Sequence, residues 1–138
     1  MSGRNIRPWE FILVCNKKTL AQMSAARAAG GAHLKEAAAA IVVLADESKT
    51  DVWTEDASIA MAYMHLMATE QGVGSCWIQG RCRVTADGET TEEYLRKLLD
   101  FPENLKLEAI LALGMPEKTP EAHGLQELLV EKVHLEKF

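Results

Sequence analysis

Residues 57–68 place Ile59, Ala60, Met61, Ala62, Tyr63, Met64, Leu66 and Met67 around nearly the whole circumference of a 3.6-residue helix. A helix that is apolar on every side has to be enclosed, so the rest of the chain is expected to pack around a long buried central helix. Thr54 can cap its start, Glu55 and Asp56 put negative charge in its first turn, and Gly72 tolerates a left-handed turn at its end. Ser75-Cys76-Trp77-Ile78 then reads as a short strand, and Gly80 as a point where a backbone comes close to something.

Around this unit the sequence predicts three further strands. Residues 9–15 are apolar on both faces and read as a central strand, residues 39–45 as a second buried strand, and residues 107–113 as a third. Residues 19–29 read as a helix ended by Gly30 and Gly31. A second amphipathic helix starts at Thr90 or Thr91, turns Tyr94, Leu95, Leu98 and Leu99 inward, and stops at Phe101-Pro102. The order strand, helix, strand, long helix, strand, helix, strand implies a single α+β domain over 1–138. Residues 117–138 form a polar arm, punctuated by Pro120 and Gly124 and carrying a few apolar anchors such as Leu128, Leu129, Val133 and Phe138. Such an arm is expected to pack on a partner or on its own surface.

Charge narrows the function. With 20 acidic against 15 basic residues and a net charge of -5, the long-range field repels a phosphate backbone, so nucleic-acid binding is not expected. Glu70 and Gln71 stop the central helix, and no run of apolar residues reaches membrane-spanning length. Cys15, Cys76 and Cys82 form no CxxC pair, which suits reduced thiols and a cytoplasmic protein, with Cys15 as a small core residue. His33, His65, His123 and His134 have neither metal-ligand spacing nor a triad around them, and His65 is expected to be a hydrogen-bonded core residue. No side-chain catalyst and no metal site is evident.

Three segments, in order, resemble the FMN-dependent nitroreductase family. The opening Ser2-Gly3-Arg4-Asn5-Ile6-Arg7-Pro8-Trp9 is similar to that family's loop with a serine, an asparagine and Pro-Trp entering a strand. Gly72-Val73-Gly74-Ser75-Cys76-Trp77-Ile78-Gln79-Gly80 is similar to its segment after the buried helix, and Ala109-Ile110-Leu111-Ala112-Leu113-Gly114-Met115-Pro116 to its strand ending in Leu-Gly-x-Pro.

The resemblance implies a mainly antiparallel central sheet packed by helices, and a homodimer with FMN at sites shared between subunits. It places Ser2, Gly3, Arg4, Asn5 and Pro8 near FMN held mainly by the other subunit. Trp77, Ile78, Gln79 and Gly80 would lie along the ring, with N–H groups around Gln79 and Gly80 at its redox-active edge. The family also carries an earlier helix and an Arg-x-Ser-x-Arg segment that supply cations for the phosphate. The present sequence enters at the asparagine loop, so it is expected to be an N-terminally shortened form, with His123 or Lys118 of the arm as substitute cations. The implied chemistry is ping-pong hydride transfer from NADH or NADPH through the flavin to a nitroaromatic, quinone or similar small-molecule acceptor. One alternative is a dimer of the same fold that binds flavin weakly or not at all and serves as a scaffold or ligand-binding module. Another is a flavoenzyme of this fold with different chemistry, such as dehalogenation.

Overall fold

A computed structural model of the protein describes residues 2–118 and 121–138; Pro120, expected to punctuate the arm, lies outside the described residues. The elements run β1 (Trp9–Val14), α1 (Lys17–Met23), β2 (Ala39–Asp46), α2 (Trp53–Glu70), β3 (Gly74–Gln79), α3 (Thr91–Leu99) and β4 (Leu105–Gly114). The four strands form one sheet in the order β1-β2-β4-β3, every pair antiparallel. This is the α+β architecture the sequence predicts. Among the described residues no helix is long and apolar enough to cross a membrane.

Alternation along the strands gives the sheet two unequal sides. On one side Val42, Leu44, Ile78, Leu107 and Ile110 pack with Leu20 and Met23 of α1, Leu34, and Leu95 of α3. On the other, Val43, Ala45, Ala109 and Leu111 pack with Ala57 and Met61 of α2, flanked by the partly buried Trp53 and Met64 of the same helix. Two helices and a 3-10 turn cover the first side, and a single helix covers the second.

That asymmetry corrects two expectations. Residues 9–14 form an edge strand rather than a central one. Phe11 and Leu13 stand opposite Val43 and Ile41, on the α2 side, and remain 45% and 65% exposed. Nor is α2 enclosed within its own chain: Asp56, Ala57, Met61 and Ala68 are buried, while Ile59, Tyr63, Leu66 and Met67 face outward. One sheet can cover only one face of a helix. Among the described residues the outer apolar stripe therefore has no partner surface.

Local details differ in small ways. Val52, not Thr54, occupies the capping position of α2, without a side-chain bond, while Glu55 and Asp56 do sit in its first turn. The first helix ends at Met23, passes through a short 3-10 turn at Ser24–Ala26, and is extended by Arg27, because the N–H of Ala28 donates to the carbonyl of Val84 instead. Cys15 is exposed rather than in the core. The expected cap of α3 is present as a reciprocal pair. Thr90 Oγ1 accepts from the Glu93 N–H at 3.1 Å, and the Glu93 carboxylate accepts from the Thr90 N–H and hydroxyl. Those bonds, the Thr90 hydroxyl first, hold the Glu93 carboxyl below its ordinary pKa. Thr90→Ala should lower stability by about 1 kcal/mol, a loss of thermal midpoint readable by calorimetry; an unchanged midpoint would show that the cap contributes nothing.

Candidate functional site

The loop 2–8 is held in an unusual conformation. Arg4, Asn5 and Arg7 have φ of 50°, 57° and 55°, in the left-handed region that costs a non-glycine residue roughly 1 kcal/mol or more. Several bonds offset this. The Gly3 N–H donates to Asp56 Oδ1 at 2.8 Å, the Arg7 N–H to Ser2 Oγ at 2.9 Å, and Arg7 Nε to Asn5 Oδ1 at 2.9 Å. Pro8 is buried, and its carbonyl accepts from the Asp46 N–H. Asp46 in turn receives Ser48 and Asn104, and these bonds, Ser48's first, hold its carboxyl below the ordinary value. Arg4 and Arg7 remain exposed.

The second segment sits at the end of β3, an edge strand. The Gly80 N–H donates to the Glu108 carbonyl at 3.1 Å, and the Arg81 N–H to the same oxygen at 2.9 Å. In an antiparallel ladder hydrogen-bonded pairs alternate with open ones. With Gly80 bonded to Glu108, the N–H of Gln79 faces out from the free edge. Gly80's own N–H is engaged, so at the end of the strand Gln79 rather than Gly80 is the available donor. The side chain of Gln79 is fixed as well, accepting from Trp77 Nε1 at 2.9 Å. Ile78 is buried in the core and presents only backbone. What comes close to Gly80 is Leu107: a Cβ at position 80 would lie 2.5 Å from Leu107 Cδ2.

Glu108 went unremarked in the sequence. The register slips between Val43 and Leu44, leaving Glu108 without an opposite residue on β2. Such a bulge re-aims a side chain. The buried carboxylate of Glu108 points toward α2, receiving Ser58 Oγ at 3.2 Å and Arg81 Nε at 3.0 Å. The available signal was an acid inside an otherwise apolar strand.

Both segments are thus tied to the first two turns of α2, the loop through Asp56 and the β3 end through Glu108 to Ser58. The arm is not drawn in. His123 is exposed, with Nδ1 2.8 Å from Glu127 Oε2, a bond that lowers the Glu127 pKa. Lys118 is exposed too. His65 is half-buried, its Nδ1 2.6 Å from Ser75 Oγ, hydrogen-bonded as expected but not enclosed. Further along α2, over its C-terminal half, an open apolar groove of about 400 Å³ runs between the helix and the sheet, lined by Ile41, Tyr63, Met64, Met67, Leu111 and Leu113.

The chain matches the nitroreductase family model over residues 2–115. A protein of Archaeoglobus fulgidus with the provisional name NADH dehydrogenase/NAD(P)H nitroreductase is 33% identical over 142 residues, covering 99% of this chain and 78% of that protein. A similarly named protein of Methanothermobacter thermautotrophicus is 31% identical, covering 96% of this chain and 66% of its own length. Among solved structures, an FMN-dependent nitroreductase from Clostridium difficile superposes with a TM-score of 0.97 at 42% identity, over 100% of this chain and 80% of that one.

Proposed function

Because this chain belongs to the nitroreductase family, we propose that it is an FMN-dependent oxidoreductase drawing electrons from NADH or NADPH, and that it works as a homodimer. The observation that carries the reading is the free edge at the end of β3, where the Gln79 N–H faces outward and the strand is tied to α2 through Glu108, Ser58 and Arg81. The donor set fits a flavin. A flat apolar ring with a hydrogen-bonding rim needs an apolar wall, a backbone donor at its edge and cations for its phosphate. Here the apolar side of the sheet and α2 supply the wall, the outward N–H of Gln79 the donor, and the loop 2–8, contributed across the dimer, the exposed cations Arg4 and Arg7.

Bound there, FMN would supply two-electron chemistry, taking hydride from the nicotinamide and giving it to a nitroaromatic, quinone or similar acceptor in alternating half-reactions. The protein's part is positional. Trp77 and Glu108 hold the Gln79 amide at the edge, and the engaged N–H of Gly80 keeps that edge in one register. Ser2, Gly3, Arg4, Asn5 and Pro8 serve the cofactor of the neighbouring subunit, whose α2 and sheet cover the apolar face described above. The arm 117–138 wraps that neighbour.

Visible absorption of the purified protein with added FMN, before and after anaerobic NADH or NADPH, tests the proposal. A perturbed flavin band that bleaches with the reductant is expected. The pairing of His123 with Glu127 favours a second reading, in which the arm supplies no phosphate cation and the dimer binds flavin weakly. An unperturbed spectrum of free FMN would decide for it.

A further inference from the structure

The sequence offers Asp56 only as a negative charge in the first turn of a helix. The structure gives it a more specific position. Its carboxylate is 4% exposed, and Oδ1 accepts the Gly3 N–H at 2.8 Å across 53 residues of sequence. Oδ2 is buried with no hydrogen-bond partner among the described residues. Burying a carboxylate with so few partners is costly. A neutral residue would fill the same place on α2 without that cost, and among the described residues the carboxylate's one hydrogen bond is to the loop.

That loop needs an anchor. Arg4, Asn5 and Arg7 all hold left-handed φ, yet Ser2, Asn5 and Arg7 bond chiefly to one another. These internal bonds would travel with the loop if it swung away. The Gly3–Asp56 bond ties the left-handed residues to a helix on one side, as the Pro8–Asp46 bond ties the loop's far end to β2 on the other. Gly3 suits the place sterically as well, since a Cβ there would sit 3.1 Å from Val52 Cγ2.

We propose that Asp56 is a positioning residue for the cofactor site: through Gly3 it fixes the left-handed course of residues 4–7, and so sets where Arg4 and Asn5 are presented. The inference about the loop stands on the geometry alone, and its extension to flavin rests on the function proposed above. Asp56 does not touch the cofactor in this scheme.

The test uses two readouts. Trypsin cleavage at the Arg4–Asn5 bond, followed by mass spectrometry on the apoprotein, reports how often the loop opens, since cleavage tracks the open population when reclosing is fast. Flavin fluorescence titration reports FMN affinity. Asp56→Ala removes the acceptor. Gly3→Pro removes the donor from the other side while leaving the sequence of α2 unchanged. The extended Ser2 ahead of it is compatible with proline, and Gly3 is the first position of a helical turn. Gly3→Ala reports the cost of the added carbon alone, and Asp56→Asn keeps an oxygen that can accept.

Loss of a hydrogen bond to a charged group should raise Arg4–Asn5 cleavage and weaken FMN binding by roughly 10- to 100-fold in both Asp56→Ala and Gly3→Pro. Asp56→Asn should recover most of the protection. A thermal midpoint measured alongside separates local opening from general destabilisation, and Gly3→Pro keeps the test open if Asp56→Ala fails to fold. Cleavage at the wild-type rate in Gly3→Pro would overturn the proposal, and so would faster cleavage with unchanged FMN affinity. If the wild-type protein binds no FMN, the functional reading fails, and cleavage alone decides whether Asp56 anchors the loop.

Discussion

Met67→Glu should convert the protein from dimer to monomer while leaving the fold of each chain intact. Met67 lies on the outward face of α2 and is 59% exposed within its own chain, so a glutamate there meets water in the monomer. Its helix propensity is close to that of methionine. In the proposed dimer the same position is covered by the neighbouring subunit, and an unpaired buried carboxylate is opposed by roughly 3–5 kcal/mol. That corresponds to a dissociation constant weaker by about two to four powers of ten. Sedimentation velocity gives the mass, and circular dichroism the fold. FMN affinity should fall in parallel if, as proposed, the site is composed from both subunits. A glutamate variant that remains dimeric at wild-type affinity would place the interface elsewhere.

Gly80→Ala should be the most damaging single-atom change near the site. The added Cβ would fall 2.5 Å from Leu107 Cδ2 and 2.8 Å from its Cγ. Leu107 is fully buried in the larger core cluster, so it has no free space into which to turn. Overpacking of this kind costs about 1–3 kcal/mol, or roughly 4–12 °C of thermal midpoint for a chain of this size. The effect on function should exceed the effect on stability, because relieving the clash pushes the 80–81 backbone off the Glu108 carbonyl and carries the Gln79 N–H with it. Introducing Gly80→Ala into a Leu107→Ala background isolates the cause. With the leucine methyls gone, the second substitution should be nearly neutral. Equal losses in both backgrounds would rule out the collision.

The sequence made most of the framework legible, because its signals were local. Thr90 and Glu93 stand at the spacing of a reciprocal cap, and they form one. Gly72 follows a long apolar helix, and it takes φ of 70°. The α+β order and the segment ending in Gln79 were readable for the same reason. What periodicity could not separate was burial within the chain from burial against something else. Phe11, Leu13, Tyr63 and Leu66 all read as core, and all four are exposed in the single chain.

Within the candidate site, the loop and the β3 end were visible as motifs, but the groups that hold them were not. Asp56 and Glu108 act across 53 and 27 residues of sequence, on Gly3 and Arg81 respectively. No local pattern encodes such pairings. The bulge that aims Glu108 depends on how two strands register, which is equally invisible in one of them. Gly80 was read correctly as a close approach, and the structure supplies its partner in Leu107.

The unequal covering of the two faces of the sheet has a thermodynamic consequence. Helices bury one face without help, whereas the other is left with a single helix and a row of apolar side chains in water. In the proposed dimer, part of the free energy that keeps this chain folded is supplied by association, and by mass action it scales with how much protein is present. Its melting temperature should climb with protein concentration, and a dilute sample should unfold at a temperature where a concentrated one is still native.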